Sequence, residues 1–101
     1  MRLTPEQAAI IRSAAAEVFG ADARAWLFGS RVDDSKRGGD IDLLVQTAQT
    51  QPDALARASI AMLARLYRAL GEQKIVVVLD APAHGATRDI ITTAKATGVL
   101  L

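Results

Sequence analysis

Two groups of residues in the stretch LFGSRVDDSKRGGDIDLLV (residues 27–45) are of types that do chemistry. Asp40 and Asp42 stand one residue apart, just ahead of the apolar run Leu43-Leu44-Val45. Alternate side chains of a strand share a face, so the two carboxylates point the same way, about 6.5 Å apart along the chain. Two anions that close to a low-dielectric core repel each other and cost stability unless a positive charge lies between them. A hard divalent cation such as magnesium, which takes carboxylate and phosphate oxygens and water, meets that need. Gly29-Ser30 is the second group. Glycine at a strand end reaches φ > 0 and brings backbone N–H groups close to an anion, and Ser30 adds a hydroxyl. A helical turn starting there would aim its positive end at the same place. Arg31 follows as a forked phosphate ligand, and Lys36 and Arg37 offer further charge from the loop.

Metal carboxylates beside a phosphate cradle are the minimum equipment for phosphoryl or nucleotidyl transfer. Taken singly, a Gly-Ser pair is an ordinary turn and strand-end aspartates are ordinarily solvated. Their order changes the balance: strand, Gly-Ser, short polar loop, then Asp-x-Asp opening a second buried strand.

The flanking residues supply elements to position both groups. Thr4-Pro5-Glu6-Gln7 has capping-box spacing with proline in the first turn. Ile11, Ala14, Ala15, Val18 and Phe19 then recur at helical intervals up to Gly20. Ala25-Trp26-Leu27-Phe28 reads as a strand stopped by Gly29, and Ile41 to Val45 as a second, buried one. Pro52 opens the longest helix, with the stripe Leu55, Ser59, Met62, Leu66, Leu70 and Gly71 as its stop. Lys74 to Leu79 is a β-branched strand, residues 81–85 a turn or loop, and residues 87–97 a last helix burying Ile90, Ile91 and Ala94. Val99-Leu100-Leu101 is apolar enough to pack back on the core. The expectation is an α/β fold: a small mixed sheet with helices packed mainly on one face.

The chain has 101 residues, half of them apolar, enough for one domain over residues 1–101 with a real core. It has no cysteine, which excludes disulfides, thiol catalysis and thiolate metal sites. A net charge of +1 gives no broad attraction to nucleic acid, so strong nucleic-acid binding is not expected. No segment reaches the ~20 apolar residues of a membrane span. A soluble, cytoplasmic protein is expected, its oligomeric state left open.

Gly29-Ser30 … Asp40-Ile41-Asp42-Leu43-Leu44-Val45 resembles the signature of the polymerase-β-like nucleotidyltransferase superfamily, and the small size resembles its minimal nucleotidyltransferase (MNT) group. The resemblance covers most of the chain and implies the palm-like nucleotidyltransferase fold. It implies Asp40 and Asp42 as catalytic metal ligands for Mg2+, two ions in the usual arrangement. It implies Gly29 and Ser30 as contacts to the phosphates of ATP, to which the residue reading adds Arg31. MNT proteins are commonly antitoxins paired with a HEPN-domain ribonuclease toxin, and some transfer AMP from ATP to a tyrosine of that toxin. The implied function is Mg-dependent transfer of AMP to a hydroxyl of a partner protein.

One departure sets up the alternative. The superfamily usually carries a third carboxylate on the later strand, and here the run is Lys74-Ile75-Val76. A missing base removes ~10² to 10⁴-fold of rate, so the alternative is a catalytically weakened protein of the same fold, acting by nucleotide and partner binding alone. Asp80 is the nearest substitute metal ligand, but it lies four residues on, roughly 13 Å along the strand. Asp33 and Asp34 are a reserve of carboxylate in the loop. His84, the one histidine, reads as a loop residue, Tyr67 as half-buried on the long helix, and Trp26 and Phe28 as core aromatics rather than base-stacking ones. Arg57, Arg65 and Arg68 read as that helix's solvated face.

Overall fold

The computed structural model describes residues 3–32, 40–71, 73–82, 84–85 and 88–101. Helix α1 (Pro5–Phe19) starts as its sequence dictates. The Thr4 side chain accepts from the Gln7 backbone N–H at 3.1 Å, and the Gln7 side chain accepts from the Thr4 N–H at 2.9 Å. Strand β1 (Arg24–Phe28) runs into a single 3-10 turn, η1 (Gly29–Val32), and β2 covers Ile41–Gln46. Helix α2 (Pro52–Leu70) crosses back to β3 (Ile75–Ala81), followed by β4 (His84–Gly85), α3 (Arg88–Thr97) and β5 (Val99–Leu100). No helix among the described residues is long and apolar enough to cross a membrane.

The sheet is mixed, in the order β4-β3-β2-β1-β5. β1 pairs antiparallel to β2, and β2 pairs parallel to β3. A parallel pair needs a crossover, and α2 is that crossover. Alternation gives the sheet two distinct faces. Ala25 and Leu27 of β1, Ile41, Leu43 and Val45 of β2, and Ile75 of β3 face a core completed by Ile11, Phe19, Leu55, Met62 and Leu66 of α1 and α2. Both long helices therefore cover one face, as expected. Arg65 of α2, on the solvated face of its helix and 48% exposed, also pairs with Glu17 of α1.

The short helix α3 covers the other face. Leu44 and Ala94 are fully buried outside the main core, and the Lys95 ammonium reaches both Asp80 and the Trp26 ring. α3 presents Ile91, Ala94 and Lys95 to the sheet, which leaves Ile90 44% exposed instead of buried. Trp26 and Phe28 are half-buried on this second face, away from the main core. Tyr67 is 44% exposed, more than its place beside Leu66 implies.

The sheet also gains two short edge strands. Val99–Leu100 pairs with β1, so the apolar C-terminal residues pack back as hydrogen-bonded strand. His84–Gly85 pairs with the end of β3, so the chain there continues the sheet rather than forming a free loop. Asp80 accordingly lies within β3 instead of starting a turn.

Core burial fixes the expected ranking of substitutions. Leu27 is fully buried, and Leu27→Ala is expected to cost ~2–5 kcal/mol in urea unfolding. Ile60→Ala, at a side chain 70% exposed, is expected to stay within about 0.5 kcal/mol.

Candidate metal and phosphate site

The two groups singled out from the sequence meet at one end of the sheet. β1 ends there in η1, and the parallel strands β2 and β3 both begin there. Register places Phe28, Asp42 and Val76 in one row across three strands. The parallel pairing also brings Lys74 beside Asp40: the Ile41 N–H donates to the Lys74 carbonyl at 2.9 Å. The Lys74 Nζ lies 3.6 Å from Asp40 Oδ2 with both side chains largely in water, 74% and 43% exposed. Such a pair contributes little to stability and rearranges easily.

Asp42 sits differently. It lies between Ile41 and Leu43, both fully buried, and is itself half-buried. Burial pushes its carboxyl above the ordinary range, the neighbouring charge of Asp40 pushes it further, and Lys74 pulls the other way. The site thus carries the excess of negative charge that the Asp-x-Asp spacing implies.

Gly29 makes the turn and the carboxylates one structure. Its φ is +76°, in the left-handed region that favours glycine. A Cβ there would overlap Asp42 Oδ2 and stand 3.3 Å from its Cγ. The backbone of the Gly-Ser turn therefore packs directly on the Asp42 carboxylate, in space that a side chain would fill. Ser30 follows within η1. Arg31 donates to Gln73 Oε1 at 3.0 Å, and Gln73 in turn donates to the Leu70 carbonyl at 3.0 Å, so the guanidinium faces the link from α2 into β3. Asp33, Asp34, Lys36 and Arg37 lie outside the described residues.

Gly29, Asp40 and Asp42 are brought together, with Arg31 anchored on the segment that leads to Lys74. Asp80 is not with them. It pairs in register with Gln46, and its Oδ2 accepts from Lys95 Nζ at 2.8 Å. That ammonium also stands 5.3 Å from the Trp26 ring centroid, so Asp80 serves to fasten α3 to the sheet. Among the described residues, no group of three or more acids or histidines forms a metal-binding cluster. Asp40 and Asp42 are a pair of oxygen donors of the kind that suits magnesium. The glycine-shaped space beside Asp42 and the lysine cation already drawn to Asp40 are consistent with a small cation at this point.

For two residues of the site the register adds what the sequence does not carry. Lys74 reads there as the start of a strand, and only the parallel β2/β3 register sets it against Asp40. Val76 reads as a missing acid, and the register places it immediately beside Asp42, 37% exposed. A groove of about 320 Å³ between α1 and α2, lined by Ala9, Ile10, Ser13, Glu17, Arg65 and Ala69, lies on the helical side of the sheet, away from these residues.

Two measurements test the geometry. Gly29→Ala is expected to destabilise by more than the ~1–2 kcal/mol its φ alone costs, and by that φ cost only in an Asp42→Ala background, where the overlapping carboxylate is gone. A double-mutant cycle in urea reads that coupling. Asp42→Asn is expected to raise the melting temperature at pH 7. Folding disfavours the charged form of Asp42, so the penalty is full above its raised folded pKa, fades as pH falls through it, and is absent below the ordinary 3.8. The advantage of the asparagine variant should disappear over the same range.

No known family model matches this chain, and no curated protein matches it significantly.

Proposed function

We propose that this chain is a cytoplasmic, magnesium-dependent nucleotidyltransferase of the minimal type, its mixed sheet the palm-like fold, transferring AMP from ATP to a hydroxyl of a partner protein. The partner proposed from the sequence resemblance is a HEPN-domain toxin, with this chain as its antitoxin. The single observation that carries the reading is the packing of Gly29 on Asp42. Glycine there leaves the turn's backbone open to an anion directly beside the carboxylate.

Asp40 and Asp42 would hold the ion, which when bound neutralises phosphate charge and makes the α-phosphorus a better electrophile. The chain's own residues then do the positioning. Backbone N–H groups of the Gly29-Ser30 turn and the Arg31 guanidinium take phosphate oxygens. The acceptor oxygen bonds to the α-phosphorus as the bond to the bridging oxygen breaks, and pyrophosphate leaves with that electron pair. The acceptor hydroxyl must also lose its proton, which passes to solvent water. The position next to Asp42 on β3 is Val76, which has no lone pair to take it.

Val76 is also the observation behind a second reading, in which the site binds nucleotide and partner without efficient transfer. Two experiments separate these outcomes. Calorimetric titration of Mg·ATP is expected to give saturable binding with the wild type and none with Asp42→Asn; a wild type that binds no Mg·ATP would overturn the nucleotide site. Labelled AMP incorporation is then compared between wild type and Val76→Asp. Activity that rises ~10²-fold or more with the added acid supports the weakened protein, and a wild type already as fast as the variant supports the enzyme.

A further inference from the structure

We propose that the outer face of α2 is a self-complementary surface on which a second copy of this chain docks, with the two α2 helices antiparallel. Asp53, Arg57, Ile60, Ala64, Tyr67 and Gly71, the last just past the helix end, recur at alternating steps of four and three residues, and every one of them is exposed. That is the spacing of a coiled-coil seam, and it lies across the helix from Leu55, Met62 and Leu66, which are buried in the core. A solvated helix face ordinarily carries polar side chains. The middle of this one is apolar. Ile60 is 70% exposed, the most exposed large apolar side chain among the described residues, and Tyr67 is 44% exposed.

The order of residues along the seam selects its occupant. Positions 53 and 71, 57 and 67, and 60 and 64 are symmetric about the level of Met62. Two antiparallel copies of α2, related by a twofold axis at that level, therefore bring unlike residues together at every layer. Ile60 of each copy faces the small Ala64 of the other, so a large side chain enters the space that a small one leaves. Arg57 faces the Tyr67 ring of the other copy, where its stem packs and its guanidinium meets the aromatic face. Asp53, in the first turn, faces the last turn of the other copy, where Arg68 is within reach. A parallel pair would instead set Asp53 against Asp53 and Arg68 against Arg68. The charges at the two ends of the seam thus favour a second copy in antiparallel order. The seam is ~27 Å long, small for a specific interface, so the dimer is a weak one that forms and dissociates with concentration.

The test is sedimentation equilibrium of the full chain from about 1 μM to about 1 mM, without metal or nucleotide. The wild type is expected to rise from the 10.7 kDa of one chain toward twice that mass. Ile60→Asp is expected to stay at one chain's mass throughout while keeping its fold by circular dichroism, because so exposed a side chain contributes little to folding. Asp53→Arg alone is expected to weaken the dimer about fivefold, and Arg68→Asp added to it to restore the dimer, since the swap re-forms opposite-charge contacts only in antiparallel order. A wild type that remains at one chain's mass over the whole range overturns the inference and leaves the seam to a helix of another protein or to solvent. A dimer that survives Ile60→Asp, or one that the charge swap does not restore, also overturns it. None of these outcomes touches the metal and nucleotide reading, which its own titration decides.

Discussion

The site depends on the burial of β2. That strand is paired on both edges, and Ile41, Leu43, Leu44 and Val45 have no exposed surface at all. Slipping such a strand by one residue would turn every side chain to the wrong face, so its register is fixed by the core. Asp42 lies between two of these residues and is carried along. Burial of each large aliphatic side chain contributes ~1.5–3 kcal/mol, and four of them outweigh the cost of keeping one carboxylate half-desolvated. The hydrophobic core thus holds Asp42 where water and Asp40 alone would not favour it.

Connectivity does the rest. The antiparallel β1/β2 pair, which sets Phe28 opposite Asp42, returns η1 to the head of β2, and that is why Gly29 meets the Asp42 carboxylate. The parallel β2/β3 pair requires α2 as its crossover, and the amphipathic stripe of α2 fixes how that crossover lies on the sheet. From this follow the positions of Lys74 and Val76, one beside each aspartate. A helix far from the chemistry therefore determines which residues of the next strand share the site.

What could be read from the sequence divides along the same line. Signals confined to a few residues are reliable: the Thr4–Gln7 capping box, the stripe of α2 and the apolar run of β2 all form as their patterns dictate. The Gly29-Ser30 and Asp40-x-Asp42 groups were also visible, because each has a local conformational reason for its residue types. Residues whose role depends on a partner distant in sequence were not. Lys95 finds Asp80 only because α3 lies on the face opposite the long helices, and Ile90 is exposed for the same reason. Residues 99–100 and 84–85 are too short to declare themselves as strands, and edge pairing makes them so.

The ion pairs give a last distinction between scaffold and site. Arg65 and Glu17 join the two long helices, and Lys95 and Asp80, 33% and 27% exposed, join α3 to β3. Lys95 and Asp80, the least exposed of these pairs, fasten α3 to the sheet. Lys74 and Asp40 fasten nothing of that kind. Their strands are already locked together by the β2/β3 backbone ladder, and the lysine is 74% exposed. An exposed pair across an already secured ladder adds little to stability, so its consequence is electrostatic: it partly offsets the charge concentrated at Asp40 and Asp42.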